Sequence, residues 1–339
     1  MMRLLPKSPG SWIRSNDFVG LINFTSHSMI LQVRNVSKQY AAHKALDDVS
    51  LDVPKGSVFG LLGPNGAGKT SLIRIINQIT GPDAGEVLFN GQRLSPEHIS
   101  MIGYLPEERG LYKKMEVGEQ ALYLAQLKGL SKKEAMERLK FWFEKFELKG
   151  WWKKKIDELS KGMQQKVQFI ITVLHEPKLL ILDEPFTGFD PINAGLIKDE
   201  LLRLRDKGTT VILSTHRMES VEELCSHIAL INRSRKILDG DVHDIRRKFK
   251  SGKYEIEYNG HGIGLANSLW GGFELISNEP HAGHMKAIVS IPDGMKTNDL
   301  LAGMIQNVEI VSFREVIPGM NDIFISLVNE SNQEREVMA

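Results

Sequence analysis

Two kinds of apolar pattern divide the chain. Val58-Phe59-Gly60-Leu61-Leu62, Lys178-Leu179-Leu180-Ile181-Leu182-Asp183-Glu184 and Thr209-Thr210-Val211-Ile212-Leu213-Ser214-Thr215-His216 are short, nearly continuous apolar runs with polar ends. Such runs read as central strands of a parallel sheet, buried on both faces. Helical stretches separate them. One opens at Ser71-Leu72-Ile73, one runs through Val167, Ile170, Ile171 and Leu174, and residues 117–158 carry Trp142, Phe143, Phe146, Trp151 and Trp152 along an apolar side. Strands alternating with helices predict an α/β fold whose ligands sit at the carboxyl ends of the strands. Ahead of this core, Ile30-Leu31-Gln32-Val33 opens a strand, turn and strand pattern reaching about Asp52, with Tyr40 ending the first strand. Glu86-Val87-Leu88-Phe89 is a further short strand, closed by Asn90-Gly91. After about Phe249 the texture changes to half-exposed strands at Lys253-Tyr254-Glu255-Ile256 and Ala287-Ile288-Val289, and a helical stretch near residues 298–305 leads into Val308-Glu309-Ile310-Val311. Residues 249–339 therefore predict a small α+β accessory domain, with Met295, Met304 and Met320 as core filling.

The first apolar run leads directly into Gly63-Pro64-Asn65-Gly66-Ala67-Gly68-Lys69-Thr70, which fits the phosphate-loop pattern G-x-x-x-x-G-K-[ST] in its required strand-to-helix context. Glycines let successive N–H groups converge on a phosphate, and the helix beginning at Ser71 adds partial positive charge. Lys69 would reach the β- and γ-phosphates, and the Thr70 hydroxyl would hold magnesium. The plain alternative is a glycine-rich turn that binds nothing. The other two runs supply what the loop needs. Asp183 ends one of them and would hold magnesium, Glu184 beside it could orient the attacking water, and His216 ends the other, where it could contact the γ-phosphate. A lone histidine is ordinarily structural, but this one stands at a third strand end of one nucleotide-binding sheet.

Leu159-Ser160-Lys161-Gly162-Met163-Gln164-Gln165 opens a further helix. Ser160, the Gly162 backbone and the helix dipole present a second anion-binding face. One loop already cradles a nucleotide, so this face makes most sense if it serves the nucleotide of another subunit.

Composition narrows the setting. Among 339 residues, 43 Lys and Arg balance 42 Asp and Glu, which gives no electrostatic footprint for nucleic acid. The length suits two domains. The single cysteine, Cys225, excludes an intramolecular disulfide and reads as a small buried hydrophobe. No run of about 18 uncharged apolar residues occurs, so a membrane role needs another chain to supply the span. Residues 1–28 carry Arg3, Lys7 and Arg14 against Asp17 alone, with a short apolar patch and no small-residue cleavage site. They read as a disordered or wrongly assigned extension, with structure beginning near Met29.

At this point residues 30–248 resemble the ATP-binding subunits of ABC transporters. The resemblance implies a P-loop NTPase fold of that type, with a parallel-sheet core, an antiparallel β subdomain and a helical subdomain at about residues 108–165, all within a domain spanning 29–248. It implies that Tyr40 stacks on adenine, and that Gly63, Pro64, Asn65, Gly66, Ala67, Gly68, Lys69, Thr70 and Ser71 hold ATP. Residues 159–163 match the family signature, residues 179–183 the magnesium-binding strand, Glu184 the catalytic carboxylate, Gly188-Phe189-Asp190 the D-loop and His216 the switch histidine. In this reading Ser160, Gly162 and Asp190 complete a site across a dimer. The tail, including Pro318-Gly319-Met320-Asn321-Asp322, looks like the C-terminal extension of sodium-export and drug-export ATPases of this type.

Two departures stand out. Lys161 and Met163 replace a glycine and the glutamine of the usual signature, although Ser160 and Gly162 are intact. Glu107, in Tyr104-Leu105-Pro106-Glu107, occupies the position of a neutral glutamine that touches magnesium. The resemblance implies an ATP- and magnesium-dependent ATPase, paired as a homodimer or with another ATPase subunit. It implies attachment to the inner face of the cell membrane through a separate permease, with export favoured by the tail. The rival expectation is an ATPase of the same type acting as a nucleotide switch in DNA repair or translation. Repair members carry a long coiled-coil insert and translation members two cassettes, whereas this chain has one cassette and a compact insert.

Overall fold

The computed structural model describes residues 28–108, 110–187 and 189–338. The expected extension over residues 1–28 lies outside them apart from Ser28, as does Gly188 of the expected D-loop. The N-terminal part begins with β1 (Met29–Tyr40), β2 (His43–Pro54), β3 (Val58–Leu62), α1 (Lys69–Ile76), β4 (Ala84–Phe89), β5 (Gln92–Arg93) and β6 (Ile102–Leu105). Then follow α2 (Val117–Leu127), α3 (Lys132–Lys145), α4 (Lys161–Val173), β7 (Leu179–Asp183), α5 (Pro191–Asp206), β8 (Thr210–Thr215), α6 (Met218–Leu224), β9 (His227–Asn232), β10 (Arg235–Asp241) and α7 (Val242–Lys248). The C-terminal part comprises β11 (Lys253–Asn259), α8 (Gly262–Ser268), β12 (Glu274–His281), β13 (His284–Ser290), α9 (Thr297–Ile305), β14 (Glu309–Glu315) and α10 (Met320–Met338).

The three apolar runs are β3, β7 and β8, and every residue in them is buried. They sit inside a six-stranded sheet of order β10-β9-β3-β8-β7-β6, parallel except for the edge pair β9–β10. Register decides where their side chains meet. Leu62 pairs with Thr215, Ser214 with Asp183, and Leu182 with Leu105. Consequently Gly63, His216, Glu184 and Pro106 all leave the sheet at its carboxyl edge, the ligand side of an open parallel sheet.

One face of this sheet packs through Phe59, Leu61, Ile181 and Ile212 on α1 and on a four-stranded antiparallel sheet, β2-β1-β4-β5. The opposite face packs on α4, α5 and α6, and the aromatic cluster of Trp142, Phe143, Phe146 and Phe169 extends that core into the helical region. Full burial of one such phenylalanine contributes about 2–3 kcal/mol. Helix α3 starts where Ser131 caps it: the Glu134 N–H donates to Ser131 Oγ at 3.2 Å, and the Ser131 N–H returns to Glu134 Oε2 at 3.1 Å. Buried Glu200 of α5 ties α3 to the core by accepting from Lys145, while it also pairs with Arg203 of its own helix.

The C-terminal strands form a separate antiparallel sheet, β12-β13-β11-β14. Helices α8 and α9 cover one face of it through Leu265, Leu300 and Met304, packed on Ile256, Tyr258, Ala287 and Val289. This β-α-β-β-α-β order is a split βαβ arrangement. Helix α10 behaves differently, because Met320 and Ile323 are buried in the core shared with Val221 and Leu224 of α6. Its first N–H, from Met320, donates to the Glu222 carboxylate, which also lies 3.5 Å from Arg246. Among the described residues no helix is long and apolar enough to cross a membrane.

Candidate functional site

The loop after β3 is shaped by close approach. At Gly63, with φ of 152°, a Cβ would lie 2.2 Å from the Ile231 carbonyl oxygen; at Gly68, with φ of 117°, one would lie 2.3 Å from that of Ala45. Only glycine fits either place. Ala67 locks the loop from both sides: its N–H donates to Pro64 O at 3.2 Å and its carbonyl accepts from Ser234 at 3.0 Å. Asn65, Gly66 and Thr70 remain exposed, and Pro64 and Ser71 half-buried.

Lys69 is buried, and its ammonium donates to the Gly63 and Pro64 carbonyls at 2.7 and 3.1 Å. Burial lowers its pKa, while the charges of Glu184, Asp183 and Glu107 pull it back up. A cation bonded to carbonyls of its own loop can exchange them for phosphate oxygens. Asp183 presents the complementary case. It is buried, and burial raises its pKa against the opposing charge of Lys69. Thr70 Oγ1 donates to its Oδ2 at 3.4 Å. Burial and the Asp183 charge together push the Tyr104 hydroxyl up to about 12.

Glu184 has a left-handed backbone, φ 48°, with its N–H donating to Ser214 O at 2.9 Å. Both of its carboxylate oxygens are engaged. Oε1 accepts the His216 N–H at 3.1 Å and lies 2.7 Å from His216 Nδ1, while Oε2 accepts the Thr215 hydroxyl at 3.3 Å. Glu107 joins the cluster from the end of β6, where it lines a crevice of about 20 Å³ with Asp183, Glu184, Gln165 and Gln168. The fold thus brings Lys69, Thr70, Glu107, Asp183, Glu184 and His216 to one place.

The hydroxyl of Thr70 and the carboxylates of Asp183 and Glu107 are the hard oxygen donors that magnesium takes. Among the described residues no three His, Cys, Asp or Glu side chains converge as a ready-made metal cage.

Ser160 and Gly162 stand at the start of α4 and Asp190 at the start of α5, not at strand ends. Ser160 is exposed and caps α4, its Oγ accepting from the Met163 N–H at 3.3 Å. Asp190 caps α5 by accepting the Ile192 and Asn193 N–H groups at 3.1 and 3.0 Å, and it binds the Asn193 side chain, which lies beside Gly162. Ile192 next to them is 86% exposed. Tyr40 stands apart as well, 40% exposed at the tip of the β1–β2 hairpin, with Lys38 Nζ 5.5 Å from its ring. Strand β2 links that tip to the loop, since Ala45 is the strand residue that abuts Gly68. The contact missing from the sequence reading is Thr215.

A family model described as ABC transporter matches residues 46–187, and one described as the C-terminal domain of DrrA1-3-like ATP-binding proteins matches residues 240–328. The uncharacterized ABC transporter ATP-binding protein YhaQ of Bacillus subtilis is 45% identical over 220 residues, covering 65% of this chain and 74% of that protein. Nod factor export ATP-binding protein I of Cupriavidus metallidurans is 36% identical over 219 residues, covering 64% of this chain and 72% of that one. A solved ATP-binding subunit of an ABC transporter superposes with a TM-score of 0.61 at 34% identity, covering 65% of this chain and 93% of that one.

Proposed function

The chain belongs to the ATP-binding subunits of ABC transporters, ATPases that work with a separate transmembrane permease, and on that premise we propose that two copies close head to tail around two ATP molecules to drive export. The relatives include export ATP-binding proteins, which supports the direction. They favour this reading over a nucleotide switch in DNA repair or translation. The observation that carries the shared site is the split of its parts. Lys69, Asp183, Glu184 and His216 follow strand ends at one sheet edge, whereas Ser160 and Gly162 open α4 and Asp190 caps α5, with Ser160, Asp190 and the neighbouring Ile192 exposed.

In this reading the 63–70 backbone and Lys69 bind the phosphates, the Ser71 end of α1 adds its dipole, and Tyr40 stacks on adenine. Thr70 and Asp183, with Glu107 nearby, would hold magnesium, which when bound withdraws charge from the terminal phosphate. Glu184 orients water and accepts its proton as the new bond to the γ-phosphorus forms and the bond to ADP breaks. His216 holds Glu184 at rest and gains a competing acceptor when a γ-phosphate arrives. Ser160 and Gly162 of one copy bind the γ-phosphate held by the other. We assign residues 29–248 to the nucleotide unit, with a helical subdomain at 108–165, and 249–339 to the accessory unit, although the start of α10 packs with the former. The permease would hold the subunit on the cytoplasmic face of the cell membrane.

Glu184→Gln tests the catalytic assignment. It should retain ATP and accumulate a nucleotide-bound dimer by size-exclusion chromatography, while hydrolysis falls by about a hundredfold or more. Normal turnover would remove Glu184 from the chemistry.

A further inference from the structure

Thr215 ends β8 and is 1% exposed. Its hydroxyl stands between two groups. The oxygen accepts the Arg217 N–H at 3.1 Å, and it lies 3.3 Å from Glu184 Oε2. A threonine hydroxyl carries one proton, and a carboxylate can only accept, so that proton points at Glu184. The other carboxylate oxygen belongs to His216, through its N–H and its ring. Two consecutive residues leaving one strand therefore hold the two oxygens separately, and the left-handed backbone of Glu184 is pinned to Ser214 behind them.

We infer that Thr215 is a positioning residue for ATP hydrolysis: its hydroxyl anchors Oε2 of Glu184, so that only Oε1 exchanges partners between His216 and the attacking water. The inference rests on the reading of Glu184 as the water-activating group. Without the anchor the carboxylate can rotate about its last torsion, which is broad and soft. Misplacement of a catalytic group lowers the rate far more than substrate binding, because orientation is what a bound base contributes. Among the described residues the Thr215 hydroxyl bonds Glu184 and the Arg217 N–H, not loops 63–70 and 159–163, which would hold the nucleotide. The competing role is purely local, since the same hydroxyl terminates β8 by accepting from Arg217.

Thr215→Val keeps the branched shape and removes the hydroxyl; Thr215→Ser keeps the hydroxyl. In the full-length chain, Thr215→Val should lower kcat for ATP about tenfold while the affinity for ATP changes less than about twofold. Thr215→Ser should recover to within about threefold of the parent. In single-turnover assays on a Glu184→Gln background, where an amide nitrogen can replace the acceptor, adding Thr215→Val should slow the residual reaction less than about twofold. An unchanged kcat in Thr215→Val would overturn the inference, as would an equal tenfold loss on both backgrounds, which marks a local role. Loss of folding in Thr215→Val, read by thermal melting, together with a low kcat in folded Thr215→Ser, would also count against it. A low rate in Glu184→Gln beside a normal Thr215→Val removes only Thr215. Normal turnover in Glu184→Gln removes both.

Discussion

Replacing Glu107 with glutamine deletes one of three carboxylates that act on Lys69, the other two being Glu184 and Asp183. It leaves the shape of the crevice beside Asp183 almost unchanged. Glu107 has the smallest effect on Lys69 of the three and is itself exposed, so its field is partly screened. An exposed unit charge in the field of a phosphate contributes on the order of 1–2 kcal/mol at effective dielectrics of ~20–40. ATP without magnesium brings its full negative charge to this site, and the ion offsets much of it. Removing Glu107 should therefore tighten magnesium-free ATP binding by about 5- to 30-fold while changing magnesium-bound ATP less. The magnesium dependence becomes shallower. The assay is displacement of a fluorescent ATP analogue across a magnesium series, run on the parent and on Glu107→Gln, with permease-stimulated turnover as a second readout. Superimposable curves would take Glu107 out of the metal and phosphate field.

Glu222→Ala removes the acceptor for the Met320 N–H and the partner of Arg246, whose Nε also donates to Pro318 O at 3.1 Å. Loss of such a cap costs about 1 kcal/mol, so hydrogen exchange at the start of α10 should quicken about fivefold, and unchanged protection would refute that anchoring role. His175 is pushed down to about 4, chiefly by burial and then by the charge of Lys128. Its folded value lies below its ordinary 6.5, so the unfolded chain binds more protons between the two, and stability is lost as pH falls through that window by up to about 1.4 kcal/mol per unit. His175→Phe should flatten denaturation midpoints between those pH values, and parallel curves for the two proteins would contradict the assignment.

The parts of this molecule legible in its sequence are those in which local pattern and tertiary role coincide. Continuous apolar runs can be satisfied only by strands covered on both faces, so β3, β7 and β8 could be read directly, and with them the shared edge where Lys69, Asp183, Glu184 and His216 meet. Cys225 is likewise buried, and burial pushes its thiol up to about 12. Strand β12 was not legible, because residues 274–281 are mostly exposed and show no alternation to detect. Nor was the docking of α10, which depends on Glu222 lying 98 residues earlier in the chain. The same holds for Thr215 and Glu184, 31 residues apart, whose contact follows from strand register rather than from any motif. Sequence could place Ser160 and Gly162 at a helix start, but the link between Gly162 and Asp190 runs through Asn193, which no spacing rule singles out.

The central claim is that each ATP is held by two copies of the chain, and mixed dimers test it most directly. With Lys69→Ala on one copy and Gly162→Glu on the other, both changes fall in the same shared site and the second site is spared. With both changes on one copy paired with an unaltered partner, each site carries one lesion. The account predicts that the first arrangement retains one occluded ATP per dimer and measurable ATPase, and that the second retains neither. Equal nucleotide occlusion and equal ATPase in the two arrangements would contradict it.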